Sequence, residues 1–270
     1  MFKVLPTKIF PVEITSYDLL KTFAIIFMVI DHTGYYFFPD ESWWRVAGRL
    51  CVPVWFFLIG YARSRDTGSR LWIGALILVT VYLLAGSHFI PFNILITIII
   101  LRLIIDPLMK FSQQGIFHFT GLCFISFLLI IPTSYGVEYG TQGIILAMAG
   151  YYARHYQKMG LDKIFVRNFM IFSSFFFVIP QFLLHGFSLL QFYVLFSGIA
   201  AVYYWLYHFS STTHPVLTAK LSPAISRLIK FTGRRTLEIY VAHIVLFQVI
   251  ALLERQERFG LFEWKLMPQF

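Results

Sequence analysis

Nine apolar runs follow one another along this chain, and no segment between them is long enough to build a core of its own. They lie near residues 17–38, 45–62, 71–86, 90–106, 116–132, 137–153, 168–185, 187–207 and 231–252. A hydrocarbon layer about 30 Å thick takes about 20 helical residues to cross. The pattern therefore predicts an all-α fold, a polytopic transmembrane helical bundle of about nine spans, forming one integral membrane domain over residues 1–270. The third, fourth and sixth runs are short, which implies little tilt, a thinned bilayer or partial re-entry. Transmembrane barrels need short alternating segments, and these runs are continuous. Charged residues make up 13% of the chain, against roughly 25% in soluble domains.

Charge placement sets the expected orientation. The connections 1–16, 63–70, 102–110, 154–167 and 208–235 hold 16 of the 22 Lys and Arg residues, and the opposite side holds five. That asymmetry predicts an odd number of spans, with the N-terminus inside and the C-terminus outside. The same distribution argues against nucleic acid as the partner of the net charge of +9, because the cations lie in short inter-span loops rather than in one patch. Residues 1–16 are polar and no small-residue cleavage site follows the first run, so that run is expected to be retained as a span. Ser210–Lys230, the longest connection, reads as irregular from its Ser, Thr and Pro content. Cys51 and Cys123 fall in apolar runs and read as inert thiols, with no disulfide framework or metal site.

Against this apolar background, Asp31 and His32 stand out inside the first span. A charged group in hydrocarbon costs about 2.5–3.5 kcal/mol on insertion scales, so such groups usually mark a site. At 3.6 residues per turn, Asp18, Lys21, Ile25, Met28 and His32 form one stripe, with Lys21 near the inner surface and His32 in the outer half. Asp31 points roughly 100° away from His32 and so toward another helix. Arg49 is its expected partner; Arg45 shares that face and reads equally well as an interfacial anchor beside Trp43 and Trp44. His32 has the chemistry of a general base or nucleophile.

The last span carries a second set. Thr236, Tyr240 and His243 share a face, and Arg234 and Arg235 lie at its inner end with Glu238 within the i+3/i+4 spacing. His243 reads equally as a packed interhelical hydrogen bond and as a catalytic group. Tyr61, Asn93, Thr97 and Tyr139 are polar residues able to line a site, each more often structural. The remaining histidines fall at span ends or in loops. No pair of His, Cys or carboxylates has a convincing metal spacing on one face.

These residues resemble the TraX family of pilin N-acetyltransferases. The likeness runs through Leu20-Lys21, Ile30-Asp31-His32-Thr33-Gly34, Phe37-Phe38-Pro39, Gly48-Arg49-Leu50 and Pro53-Val54-Trp55-Phe56-Phe57-Leu58-Ile59, then Phe92–Thr97 and Glu138–Gly143. A wider resemblance is to the acyltransferase-3 type of membrane acyltransferase, through the Lys21–His32 spacing and Gly233–His243. That group's Arg-x-x-Arg element has a match here only at Arg255 and Arg258, which lie in the outer tail and read as coincidence.

The resemblance implies a membrane-embedded acetyltransferase. Acetyl-CoA would be the acyl donor, entering from the cytoplasm, with its phosphates met by Lys21, Arg234 and Arg235. His32 would deprotonate the acceptor or carry the acyl group, and Asp31 and Arg49 would orient the site. The acceptor would be a membrane-inserted pilin or peptide amine, or a hydroxyl of an envelope glycan. The competing classes are a proton-coupled transporter, in which Asp31 and His32 relay protons, and a secretion-system scaffold subunit.

Overall fold

Local capping signals set the first helix. The Thr15 hydroxyl accepts from the Asp18 backbone N–H, and the Asp18 carboxylate accepts from the Thr15 N–H, which closes a capping box at the start of α1 (Ser16–Phe37). The computed structural model describes residues 11–254, 258–263 and 265–267. Among these the fold is helical, with only isolated β-bridges. After α1 come α2 (Ser42–Gly48), a 3-10 turn (Arg49–Cys51) and α3 (Val52–Tyr61). Then follow α4 (Ser69–Leu84), α5 (Ile94–Ser112), α6 (Ile116–Leu128), α7 (Ile130–Ser134) and α8 (Gln142–His155). The last five are α9 (Lys163–His185), α10 (Leu189–Tyr207), α11 (Pro215–Lys220), α12 (Pro223–Arg234) and α13 (Thr236–Glu254).

The nine predicted runs map onto these helices in order, the fifth dividing at Leu129 between α6 and α7, with three further revisions. The second run, 45–62, is not one helix. Pro53 has no N–H, and its ring crowds the carbonyl of Arg49 four residues back; the chain passes through the 3-10 turn there and starts again as α3. The sixth run starts later than expected, at Gln142, which leaves Tyr135–Thr141 as a turn-rich loop outside the helix. The connection Ser210–Lys230 is irregular only around 210–214 and 221–222: it holds α11 and most of α12, the latter capped by Ser222 with Pro223 in its first turn. Phe231–Arg234 thus belong to α12, and the last long helix begins at Thr236. Three helices, α9, α10 and α13, are long and apolar enough to cross a membrane by length and composition; α4 and α6 are apolar but shorter.

α1 is the central element. It packs against α2, α12 and α13, while α3 packs closely on α8, and α9 lies against both α8 and α10. Glycines permit the closest of these approaches. A Cβ at Gly60 would overlap the backbone of Ala147, and one at Gly150 the backbone of Phe57, so α3 and α8 meet backbone to backbone. Phe56, Phe57 and Phe177 are fully buried in the core between them.

The bundle has two ends. At one, the segment before α1 pairs with the segment after α10: Ser16 N–H donates to Thr212 O at 2.9 Å, and His214 N–H to Ile14 O at 2.8 Å. At the other, Phe92 N–H donates to Gly136 O and Phe89 N–H to Lys265 O, each at 2.9 Å. Segments that charge assigns to the same side therefore meet in space. The end with the basic loops is the inner end below, and the other the outer end.

Candidate active site

α1 carries polar groups at both ends, and each is met by a different neighbour. At the inner end Asp18 is buried and bound by Arg234 of α12 through two hydrogen bonds, at 3.2 Å from Nε and 3.0 Å from Nη2. Arg234 also donates to Glu13 O at 3.0 Å. Gly233 allows this contact, because a Cβ there would press on the Asp18 backbone at 2.5 Å. One helical turn on, Thr22 meets Thr232 at 2.7 Å. Lys21 is half-buried on the same stretch of α1. Arg235 is exposed and pairs with Glu238 at 3.4 Å, with Arg70 on the same carboxylate.

At the outer half of α1, the stripe from Lys21 ends in a histidine pair. His32 Nδ1 lies 2.7 Å from His243 Nε2, and the two rings meet edge to edge with centroids 4.9 Å apart, beside Tyr240. With both rings neutral, the hydrogen-bond partners assign the tautomers. His243 Nδ1 lies 2.8 Å from the Ile239 carbonyl, which only accepts, so Nδ1 carries that ring's proton. His243 Nε2 is then an acceptor, and His32 Nδ1 must donate to it. His32 Nε2 is left as a bare lone pair, with no protein hydrogen-bond partner among the described residues.

Asp31 faces the other way, as the 100° separation requires, into a cluster built by α2, the 3-10 turn, the loop before α8 and the end of α9. The sequence offers Arg49 or Arg45 as the partner and favours Arg49; the structure gives the direct bond to Arg45, at 2.7 Å, and places Arg49 at 3.9 Å. The cause is the break at Pro53. It ends α2 at Gly48 and turns Arg49 away, so that Arg45, a full turn earlier, reaches the carboxylate. Gly48 lets α2 come this close, because a Cβ there would overlap Asp31. Arg49 is buried and donates to Tyr139 Oη at 2.6 Å and to His185 Nε2 at 2.7 Å. Two polar atoms in the cluster have no partner among the described residues: Asp31 Oδ1 and Arg49 Nε.

Glu138 joins the cluster from the loop before α8. Burial pushes its carboxyl up to about 7, against the pull of the nearby Arg49 guanidinium. Glu138 enters the sequence reading only as the first residue of the Glu138–Gly143 likeness, and His185 only as a helix-end His, a common and uninformative position. Arg258 was set aside, yet it folds back over α1, its Nη1 at 3.4 Å from Tyr35 O; Arg255 lies outside the described residues. Of the four residues named as possible lining, only Tyr139 touches the cluster. Asn93 caps α5 and donates to Ala75 O at 3.2 Å. Thr97 donates to Glu138 O at 2.9 Å and pins that loop. Tyr61 stacks on Phe57 at the inner end.

The chain is 33% identical over 146 residues to an uncharacterized protein of Rickettsia prowazekii (strain Madrid E), covering 52% of this chain and 57% of that protein. It is 26% identical over 140 residues to Protein TraX of Escherichia coli, covering 50% and 54%. A second Protein TraX, from Escherichia coli strain K12, is 33% identical over 84 residues, covering 29% and 34%. The chain spans about half the length of the curated relatives it matches. No solved structure matches it. The family profile described as TraX protein matches residues 16–251, which include both ends of α1 and both members of the histidine pair, and the chain belongs to the TraX family.

Proposed function

We propose that this protein is a multi-pass acetyltransferase of the cell inner membrane, using acetyl-CoA from the cytoplasm to acetylate an acceptor amine in or across the bilayer. The observation that carries the reading is the directed chain from the Ile239 carbonyl through His243 to His32. It holds His32 with Nε2 as proton acceptor, the state a general base needs at neutral pH. In the transfer step Nε2 takes a proton from the acceptor nucleophile as that atom attacks the thioester carbonyl. The C–S bond breaks and the coenzyme leaves as thiolate. The proton on His32 then passes to the thiolate, which restores the neutral pair. His243 is a positioning residue: it stabilises the charge on His32 while the proton is held there.

Asp31 Oδ1 supports an amine acceptor. It is a buried carboxylate oxygen with no protein donor among the described residues, suited to receive an N–H. At the inner end Lys21 and Arg235 are the candidate partners of the donor's phosphates, as charge-assisted donors. Arg234, also named for that role, is committed to Asp18 by two bonds and acts there as a clamp between α1 and α12. α12 exposes Ile225, Leu228 and Phe231 beside Arg227 and Lys230, the composition of a helix lying in the membrane interface.

The test is transfer of label from radiolabelled acetyl-CoA to membrane extract by the purified protein. Wild type transfers label and His32→Ala does not. Equal transfer by both removes His32 from the mechanism. Absence of acetyl-CoA binding by wild type removes the enzyme reading.

A further inference from the structure

The outer end holds a cavity of about 190 Å³ whose lining includes Gly34, Tyr35, Ser42, Arg45, His185 and Arg258. Two guanidinium groups converge on it from opposite ends of the chain. Arg45 and Arg258 both approach the ring of Tyr35, at 5.6 and 5.9 Å from its centroid. Among the described residues the Arg45 bonds to protein run through Nη1 alone, to Asp31 Oδ2 and Asp31 O. Its other nitrogens have no partner there. Arg258 has no carboxylate partner among the described residues, and donates only a long bond to the Tyr35 carbonyl. His185 contributes no free polar atom, because Nε2 accepts from Arg49 and Nδ1 donates to Gln181 O.

Bringing two like charges to one ring is unfavourable unless something offsets it, and Asp31 offsets only one of them. The C-terminal tail is nonetheless held firmly in this place. Phe259 is buried against Tyr36, and Gly260 meets Gly86 so closely that a Cβ on Gly86 would overlap its backbone. Guanidinium forks match oxyanions in shape as well as charge. We propose that this cavity is an oxyanion subsite that binds a carboxylate or phosphate carried by the acceptor, one turn of α1 outward from His32. The assignment of the anion to an acceptor rests on the acetyl-transfer reading; the binding site itself does not. An ammonium would be repelled here, so the group held is the acceptor's anionic neighbour and not its nucleophilic amine.

The experiment uses the purified full chain in neutral detergent without acetyl-CoA. Its unfolding midpoint is followed against inorganic phosphate and against acetate, at constant ionic strength. Saturable stabilisation of wild type is expected. Arg258→Gln weakens the apparent affinity at least tenfold. Ser42→Asp does the same by placing a carboxylate in the lining, and an acid in the first turn of α2 suits that helix, so this variant tests the site without loss of folding. Arg227→Gln, on exposed α12, binds as wild type does. Unchanged binding by both Arg258→Gln and Ser42→Asp overturns the subsite. A parallel series compares nanodiscs of phosphatidylglycerol with nanodiscs of phosphatidylcholine. Stabilisation confined to phosphatidylglycerol, with none from the soluble anions, overturns the acceptor assignment in favour of a lipid headgroup. Failure of acetyl transfer leaves the phosphate result standing, so the two readings fail separately.

Discussion

The two ion-paired aspartates of α1 differ in how fully they are satisfied. Asp18, at the inner end, takes two bonds from Arg234 and one from the Thr15 N–H. Both of its oxygens have partners. Asp31, at the outer end, takes one strong bond from Arg45 on Oδ2, and its Oδ1 has no partner among the described residues; neither does Nε of the neighbouring Arg49. A buried polar atom left unpaired costs free energy that a purely structural pair would not need to bear. A saturated pair reads as a clamp, and an unsaturated one as a place kept for something else. Polar residues in a membrane helix are thus better sorted by what remains unpaired than by their presence.

The contrast is sharpened first by the base itself. His32→Ala should reduce acetyl transfer about 10²–10⁴-fold, read as labelled product per folded molecule, while the unfolding midpoint stays near that of wild type. A large fall in the midpoint would make His32 a packing residue. Next come the two aspartates. Asp18→Ala leaves Arg234 without its buried partner and should destabilise by about 3–5 kcal/mol, with transfer per folded molecule unchanged. Asp31→Ala should lose transfer as well as stability. If the two variants behave alike, the distinction between clamp and site is wrong.

Gly48→Ala tests the geometry without touching a charge. The added methyl would overlap Asp31, and overpacking of this kind costs about 1–3 kcal/mol. Transfer should fall as α2 moves off α1, and chemical denaturation should show the destabilisation. Glu138 gives a pH signature. Its folded carboxyl is raised to about 7 from an ordinary 4.5, so the native state holds its proton more tightly than the unfolded chain does. Its contribution is therefore most favourable at low pH and is lost as pH rises from about 4.5 through 7. Glu138→Gln should flatten that part of the profile of midpoint against pH, and an unaltered slope would remove Glu138 as its source. The smallest effect belongs to Arg235→Gln. Its pair with Glu238 is solvent-exposed, and exposed pairs are worth about 0–1 kcal/mol. Stability should hold, while the KM for acetyl-CoA rises several-fold if Arg235 meets a donor phosphate.

Much of this organisation was legible in the chain. The apolar runs located the long helices because a buried or lipid-facing helix needs a continuous apolar sequence. The spacing of Asp18, Lys21 and His32 gave the stripe because helical geometry is fixed locally. The divergence of Asp31 from His32 followed from the same 100° step. The break in the second run was less visible: Pro53 announced it, but where the chain would bend depended on α2 packing on α1 through Gly48. The choice of Arg45 over Arg49 then depended on that bend. α12 was missed because Arg227 and Lys230, on the face opposite Ile225, Leu228 and Ile229, break up the apolar residues along the chain, so the segment lacks the continuous apolar run of a span.

By itself, then, the sequence determined the long apolar helices, their order and which polar residues of α1 share a face. These follow from hydropathy, capping and a fixed helical period, all of which act between residues close in the chain. Only the tertiary structure decided the partners. His32 meets His243 across 211 positions, Asp18 meets Arg234 across 216, and Arg258 returns to Tyr35 across 223. Such pairings depend on how whole helices cross and on which glycines let them approach, and no local rule encodes either.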